Sequence, residues 1–227
     1  MKTQRSNAAR PLNPMEEIES QASHFHAETL AHGAVIYRPG DAADRVYLVK
    51  SGRVRLLRPG KGGANAVLAI LREGDLFGEI LRPEGSVMEE IATASGETVV
   101  WSIGGRDFRA LVESRPTLAL EIINALNERM RTLRKRLMGL TFKEVPSRLA
   151  ELLVMLGEAH GEKCPHGGET DLKAITQQDL ADLVGASRSF VSTLINEMKR
   201  DGHLGNVGRT LCLRDQRALR KLAAKEK

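Results

Sequence analysis

The chain has 227 residues, a length that suits one large domain or two domains of roughly 100 residues each. Aromatic residues make up 4%, which argues against stacking platforms for single-stranded nucleic acid. The only cysteines are Cys164 and Cys212, which excludes a disulfide scaffold, a four-cysteine zinc site and a cysteine-ligated iron–sulfur cluster. The net charge of +5 is uneven: residues 1–114 carry 14 basic and 15 acidic side chains and residues 115–227 carry 20 and 14, so the second half is the better candidate for an anionic partner such as nucleic acid.

Neither a membrane segment nor a secretion signal is evident in the sequence. The longest apolar runs, Ala66–Leu71 and Leu152–Leu156, fall far short of the about 20 residues that span a bilayer. The N-terminus is charged and lacks the apolar core of a signal peptide. We therefore expect a cytoplasmic protein without a membrane partner.

Residues 30–103 have the pattern of an all-β domain. Short apolar runs alternate with glycine-containing turns at a spacing typical of barrels and sandwiches. The predicted strands are Val46–Val49, Val54–Leu57, Ala66–Leu71, Ile91–Thr93 and Thr98–Ile103, followed by a short helix at Asp107–Glu113.

A long helix is predicted to begin at Pro116, since proline suits a first helical turn. Its apolar residues recur at alternating intervals of four and three, which favours a parallel two-stranded coiled coil; a helix packed on its own domain is the alternative. The seven basic and two acidic residues within 115–143 have no explanation in this pattern unless they meet an anionic effector. The predicted dimer-interface residues are Ala119, Ile123, Leu126, Met130, Leu133, Leu137 and Leu140.

A helix-turn-helix is predicted at Ile175–Arg200. Thr176 is suited to cap the first helix, with Asp179 three residues later in a near capping box. Gly185 permits the positive φ of a tight turn, and Ser187 caps the second helix. A two-stranded wing over 204–213 and a final helix at Gln216–Ala223, capped by Asp215, are predicted to follow. The second helix is expected to bury Val191, Leu194, Ile195 and Met198.

The opposite face of the second helix carries short polar side chains around Arg188, a composition suited to reading base edges in a major groove. An ordinary helical hairpin with a polar outer face is the alternative. Phe190 is expected either to contact a thymine methyl group or to pack in the core. The predicted DNA-binding residues are Thr176, Gln177, Ser187, Arg188, Ser189, Phe190, Ser192, Thr193, Asn196, Lys199 and, at the tip of the wing, Arg209.

Other chemistry is weakly represented. His160, Cys164 and His166 bring candidate metal ligands into one loop, but a fourth ligand is not evident beyond the nearby Glu162 or Glu169. We interpret the segment as a polar interdomain loop, predict no metal site, and regard Cys212 as a small buried hydrophobe. No catalytic triad, Walker loop or pair of catalytic carboxylates can be placed, so we do not expect an enzyme.

Three segments in this order resemble the superfamily of the cyclic-AMP receptor protein and the fumarate–nitrate reduction regulator, the Crp/Fnr superfamily. They are Tyr37–Val54, Leu71–Glu79 and Ile175–Lys199, and the resemblance covers about residues 25–224. It implies an α+β fold of two domains. The implied division is an N-terminal tail and helix over 1–24, a cyclic-nucleotide-binding-like β-roll (a double-stranded β-helix, or jelly roll) over 25–114, a dimerisation helix over 115–141, a hinge over 142–145 and a winged helix-turn-helix DNA-binding domain over 146–227.

The resemblance implies a homodimeric transcription regulator that reads a palindromic DNA site and has RNA polymerase as a partner if it activates. It also implies that a small effector in the roll would alter the hinge of the dimer helix and so reset the two DNA-reading helices. Members that read TGTGA-like half-sites have Arg-Glu at the start of the DNA-reading helix and a second Arg five residues after the first. This chain keeps the first arginine as Arg188 but has Ser189 in place of the glutamate and Thr193 in place of the second arginine. We therefore expect a related but looser half-site. The alternatives are an effector-gated small-molecule sensor with an incidental helix-turn-helix and a non-specific architectural DNA-binding protein.

The effector pocket that the resemblance implies departs from the cyclic-AMP pattern. Met88-Glu89 stands where an Arg-Ser pair binds the phosphate, and the loss of that arginine removes a charge-assisted bond worth about 1.5–3 kcal/mol. Leu133-Arg134 stands where a Thr-Ser pair reads adenine. Three modes stay open: cyclic AMP bound in the standard way, another anion held by Arg82 or Arg134, and a regulator that has no effector or an unknown one and is controlled by its own abundance. The candidate pocket residues are Gly78, Glu79, Arg82, Met88, Glu89, Leu133 and Arg134.

Overall fold

The first domain is built from short strands separated by glycine turns. The computed structural model describes residues 18, 22–60, 65–78, 83, 85–164, 168–172, 175–207 and 210–226, so most of the predicted tail and helix over 1–24 lies outside it. All five strands predicted between residues 46 and 103 are present. After a 3₁₀ turn at Ala22–His24, the strands are β1 (His26–Leu30), β2 (Val35–Tyr37), β3 (Arg45–Ser51), β4 (Arg53–Pro59), β5 (Asn65–Arg72), β6 (Leu76–Gly78), β7 (Ile91–Ala94) and β8 (Thr98–Gly104).

These strands form two antiparallel sheets that share one apolar core. Within the described residues the strand orders are β1-β8-β3-β6 and β2-β7-β4-β5. Val49 and Val100 from the first sheet meet Tyr37 and Val54 from the second between them. This is the β-roll predicted from the resemblance.

Three helices connect the roll to the rest of the chain: α1 (Gly105–Ser114), α2 (Pro116–Phe142) and α3 (Val145–His160). Phe108, Leu118 and Ile122 cover the outer face of the first sheet. The predicted hinge over 142–145 is shorter in the structure, where only residues 143–144 lie between α2 and α3. Pro146 occupies the first turn of α3, where its missing N–H costs nothing, so α3 begins at Val145.

The second domain packs α3 against a winged helix-turn-helix. Its further elements are β9 (Glu162–Lys163), β10 (Thr170–Leu172), α4 (Gln177–Val184), α5 (Arg188–Arg200), β11 (Leu204–Val207), β12 (Thr210–Leu213) and α6 (Gln216–Ala223). The strands pair in the order β11-β12-β10-β9. Gly185, at φ +67°, makes the left-handed turn between α4 and α5.

The structure therefore has the predicted α+β architecture of two domains joined by a long helix. None of the helices in the described part of the chain combines the length and apolarity that a bilayer crossing requires.

Candidate nucleic-acid interface and effector cavity

Helix α5 has one apolar and one polar face. Val191, Leu194, Ile195 and Met198 are buried in the core of the second domain. On the opposite side Arg188, Ser189, Thr193 and Asn196 are exposed, and Ser192 and Lys199 are half-buried. These six residues form one accessible surface, which we call the reading face.

The first turn of α5 is ordered by its cap. The Ser187 hydroxyl accepts a hydrogen bond from the Phe190 N–H at 3.2 Å, which leaves other first-turn N–H groups for an anion. The Thr193 hydroxyl donates to the Ser189 carbonyl at 3.2 Å. The Phe190 side chain is 45% exposed, so its ring is available for an apolar contact with a base rather than packed in the core.

The other predicted DNA-binding residues have different surroundings. Thr176 is exposed at the start of α4, where its hydroxyl accepts the Asp179 N–H in a complete capping box. Gln177 is half-buried in the first turn of the same helix. Arg209 lies outside the described residues.

The predicted dimer seam of α2 is open in the single chain. Its six large apolar residues, all except the half-buried Ala119, are between 46% and 64% exposed. Leu118 and Ile122 show that α2 buries a different face against its own domain. Such a continuous apolar row on a monomer is typical of an interaction surface.

Two arginines of α2 bind backbone carbonyl groups of the same chain. Arg129 Nη1 donates to the Leu76 carbonyl at 3.3 Å. Arg136 donates to the carbonyls of Leu68 in the first domain, at 2.8 Å, and Leu183 in the second, at 3.1 Å. Burial lowers the pKa of the Arg136 guanidinium. Some of the basic side chains of α2 therefore bind backbone carbonyl groups of the two domains, and an anionic effector is not needed to explain their presence.

A cavity of about 640 Å³ lies between the roll and α2. Its polar lining is made by Arg58, Glu89, Glu90 and Arg129, two cations and two anions, and most of the rest is apolar. Glu89 Oε2 lies 3.5 Å from Arg58 Nη1, and the Tyr37 hydroxyl donates to Glu90 Oε1 at 3.0 Å. The described lining therefore carries no net positive charge.

Of the predicted effector residues, Gly78 and Glu89 line this cavity. Met88 does not, because its side chain is buried in the roll core at 2% exposure. Leu133 and Arg134 are exposed on α2 beyond the lining residues. Glu79 and Arg82 lie outside the described residues.

The two domains also meet at a contact that the sequence does not predict. Arg55 of β4 donates to Asp179 of α4 at 2.7 Å, and both side chains are almost fully buried. The Val67 N–H of β5 donates to the Asp182 carboxylate at 3.1 Å. The helix-turn-helix is thus fastened to the sensor sheet through its first helix, which leaves the reading face of α5 exposed. Pairs separated by more than 100 residues leave no local pattern from which this contact could be found.

Two family models match the chain. The cyclic nucleotide-binding domain matches residues 27–115, and the Crp-like helix-turn-helix domain matches residues 147–222. The cyclic AMP receptor protein of Thermus thermophilus is 31% identical over 187 residues, which cover 82% of this chain and 83% of that protein.

Solved structures with the same fold include two bacterial proteins. A variant of CooA from Carboxydothermus hydrogenoformans matches with a TM-score of 0.76 and 28% identity, over 95% of this chain and 97% of that one. The c-di-GMP responsive global regulator CLP of Xanthomonas campestris matches with a TM-score of 0.72 and 26% identity, over 88% and 99%. These chains and ours share one arrangement of both domains.

Proposed function

The chain belongs to the Crp/Fnr family of transcription regulators, and from this premise we propose that it is a homodimer that reads a palindromic DNA site. Its relatives and matched domains are those of regulators and not of enzymes. We place its action in the cytoplasm, with RNA polymerase as a partner if it activates.

The reading face of α5 is the observation that carries this proposal. Arg188, the first residue of the helix, is exposed beside first-turn N–H groups and short polar side chains. An arginine in this place fits the N7 and O6 acceptors of guanine, while the N–H groups fit phosphate. Ser189 offers no carboxylate to accept from cytosine, so we propose a TGTGA-related half-site that is read less strictly.

The open seam of α2 supports the dimer. The seam of a second copy can bury these exposed residues, because two helices with the same heptad spacing pack side by side in a parallel coiled coil. A symmetric dimer places two reading faces on successive turns of one side of the duplex, about 34–36 Å apart. A palindromic site is the form of DNA that this symmetry fits.

Selection from a random duplex library tests the proposal. We expect a two-fold symmetric site that binds at least about 1,000-fold more tightly than a scrambled duplex of the same length and salt conditions. Equal affinity for both duplexes would instead support a non-specific architectural protein.

We further propose that cyclic AMP does not act through the standard mode. Its phosphate needs a cation, but Met88 is buried in the core, and the two arginines of the described lining have other partners, since Arg58 pairs with Glu89 and Arg129 donates to the Leu76 carbonyl. An uncharged ligand fits this lining better than cyclic AMP does.

A titration of cyclic AMP into the full chain on its selected duplex checks this point. We expect the dissociation constant for DNA to change by less than about twofold. Tightening of about tenfold or more, the size of ordinary allosteric coupling, would show that cyclic AMP is the effector.

A further inference from the structure

The two cysteines of the chain come together in the second domain. Cys164 follows β9, and Cys212 lies in β12, where it pairs directly with Asp171 of β10. The two sulfur atoms are 3.0 Å apart, and one ligand atom from each of the three side chains lies within 4.8 Å of the others. Cys164, Asp171 and Cys212 are 6%, 4% and 2% exposed. This buried group of two thiols and one carboxylate, the thiol–carboxylate cluster, has no part in DNA reading or in the effector cavity.

Asp171 is the member of the cluster that points to a ligand. Its Oδ1 is buried and accepts no hydrogen bond. Among the residues that the structure describes, no lysine, arginine or histidine forms an ion pair with this carboxylate. A buried carboxylate without a positive partner is costly, and buried charges in proteins are ordinarily paired or bound to metal.

We propose that Cys164, Cys212 and Asp171 bind a thiophilic divalent cation of the Zn²⁺ class. Thiolate sulfur and carboxylate oxygen are both ligands of zinc, and each thiol releases its proton to solvent when the ion binds. A tetrahedral ion about 2.3 Å from each sulfur holds the two sulfurs about 3.8 Å apart, so the side chains need to separate by less than about 1 Å. The described residues supply three of the four ligands of a structural site.

The ligand set differs from the one that the sequence suggested. Glu162 and Glu169, considered there as ligands, are exposed, whereas Asp171 and Cys212 join Cys164 from neighbouring strands. His166 lies outside the described residues, as does the side chain of His160. Sequence spacing could not pair Cys164 with Cys212, since 48 residues separate them.

A disulfide is the competing use of two close thiols. It would use both sulfurs but leave the Asp171 carboxylate buried without a positive partner, which the cation supplies. The backbone at Gly168 lies directly against the two sulfur atoms, because a Cβ at this position would overlap Cys212 Sγ. The ion would therefore fasten the β9–β10 hairpin to the wing strand β12.

Cobalt titration of the full wild-type chain tests the site without any substitution. The protein is reduced, freed of metal with a chelator and titrated with Co²⁺. We expect one equivalent to bind, with a thiolate-to-cobalt charge-transfer band that Zn²⁺ abolishes by displacement. Because the sequence has only two cysteines, such a band can arise only from Cys164 and Cys212. Its absence at saturating Co²⁺ would overturn the proposal.

Variants assign the ligands. We expect Cys164→Ser and Cys212→Ser to lose the band, and Asp171→Asn to weaken Co²⁺ binding by more than about tenfold. Glu162→Gln, which removes an exposed carboxylate from the strand beside Asp171, is the matched control and should bind like wild type. Unchanged binding by Asp171→Asn would contradict the assigned carboxylate ligand. A purified chain without metal, whose mass is lower by two hydrogens, would show that the thiols form a disulfide instead.

Discussion

We propose that Arg188, the exposed first residue of α5, reads a base of the DNA site. We expect Arg188→Ala to reduce the affinity for the selected duplex by about 1–3 kcal/mol and to relax the base preference at one position of each half-site. The reason is the loss of two hydrogen bonds to one guanine. Competition binding against duplexes substituted at each position measures both effects.

Arg200→Ala is the matched control for this prediction. Arg200 is exposed on the last turn of the same helix, and its contact with Glu197, at 3.9 Å, is a surface pair of small energy. The control should leave the base preference unchanged. If Arg188→Ala weakened binding equally on all duplexes, Arg188 would be a phosphate contact.

The capping residues of α4 show which contacts of a single residue can be predicted from the sequence. Thr176, three residues before Asp179, predicted a near capping box, and the structure contains the complete one. Caps are local, so a few consecutive residues are enough to identify them. The second partner of Asp179, Arg55, lies 124 residues away and could not be predicted from the same pattern.

The dimer proposal depends on the apolar seam of helix α2. We expect Leu133→Glu to convert the dimer into monomers, because it replaces a seam leucine and places two carboxylates opposite each other. Leu133 is 54% exposed in the single chain, so covering it in both chains contributes about 1.5–3 kcal/mol per dimer, and the dissociation constant should rise by at least about tenfold. Sedimentation equilibrium measures this change.

Met138→Glu makes the same kind of substitution away from the seam. Met138 is 56% exposed on α2 and lies one residue after Leu137, outside the alternating three-and-four spacing. The Met138→Glu protein should remain a dimer. A Leu133→Glu protein that is still dimeric would show that the seam is not the interface.

Strand prediction succeeded where a short apolar run lies between turn residues. Strand β3 contains the predicted run Val46–Val49, which buries Val46 and Leu48 on one face of the sheet and Val49 on the other. Strand β1 was missed because four of its five residues are exposed, and β9 has only two residues. Sheet pairing stabilises these strands through backbone bonds, which side-chain patterns do not record.

The whole molecule is held by contacts between its domains. We expect Arg55→Gln to loosen the helix-turn-helix from the roll, because the substitution leaves the Asp179 carboxylate buried without its cation. As long as the two domains stay docked, the unpaired carboxylate destabilises the protein by at most about 3–5 kcal/mol. Hydrogen exchange at the Val67 amide, which binds Asp182, should become faster.

Arg58→Gln is the control from the same strand. Arg58 forms an exposed pair with Glu89 and not with α4, and such a surface pair contributes little, so its loss should leave exchange at Val67 unchanged. Equal exchange rates in the Arg55→Gln and wild-type proteins would show that the ion pair does not hold the domains together.

The central claim, that two copies of the chain read two half-sites at a fixed separation, is tested most directly by changing that separation. Insertion of about five base pairs at the centre of the selected duplex turns one half-site to the opposite side of the helix. We expect the affinity to fall by at least about 100-fold, toward that of a duplex with one half-site. Unchanged affinity after the insertion would contradict the symmetric dimer and indicate that each chain binds DNA independently.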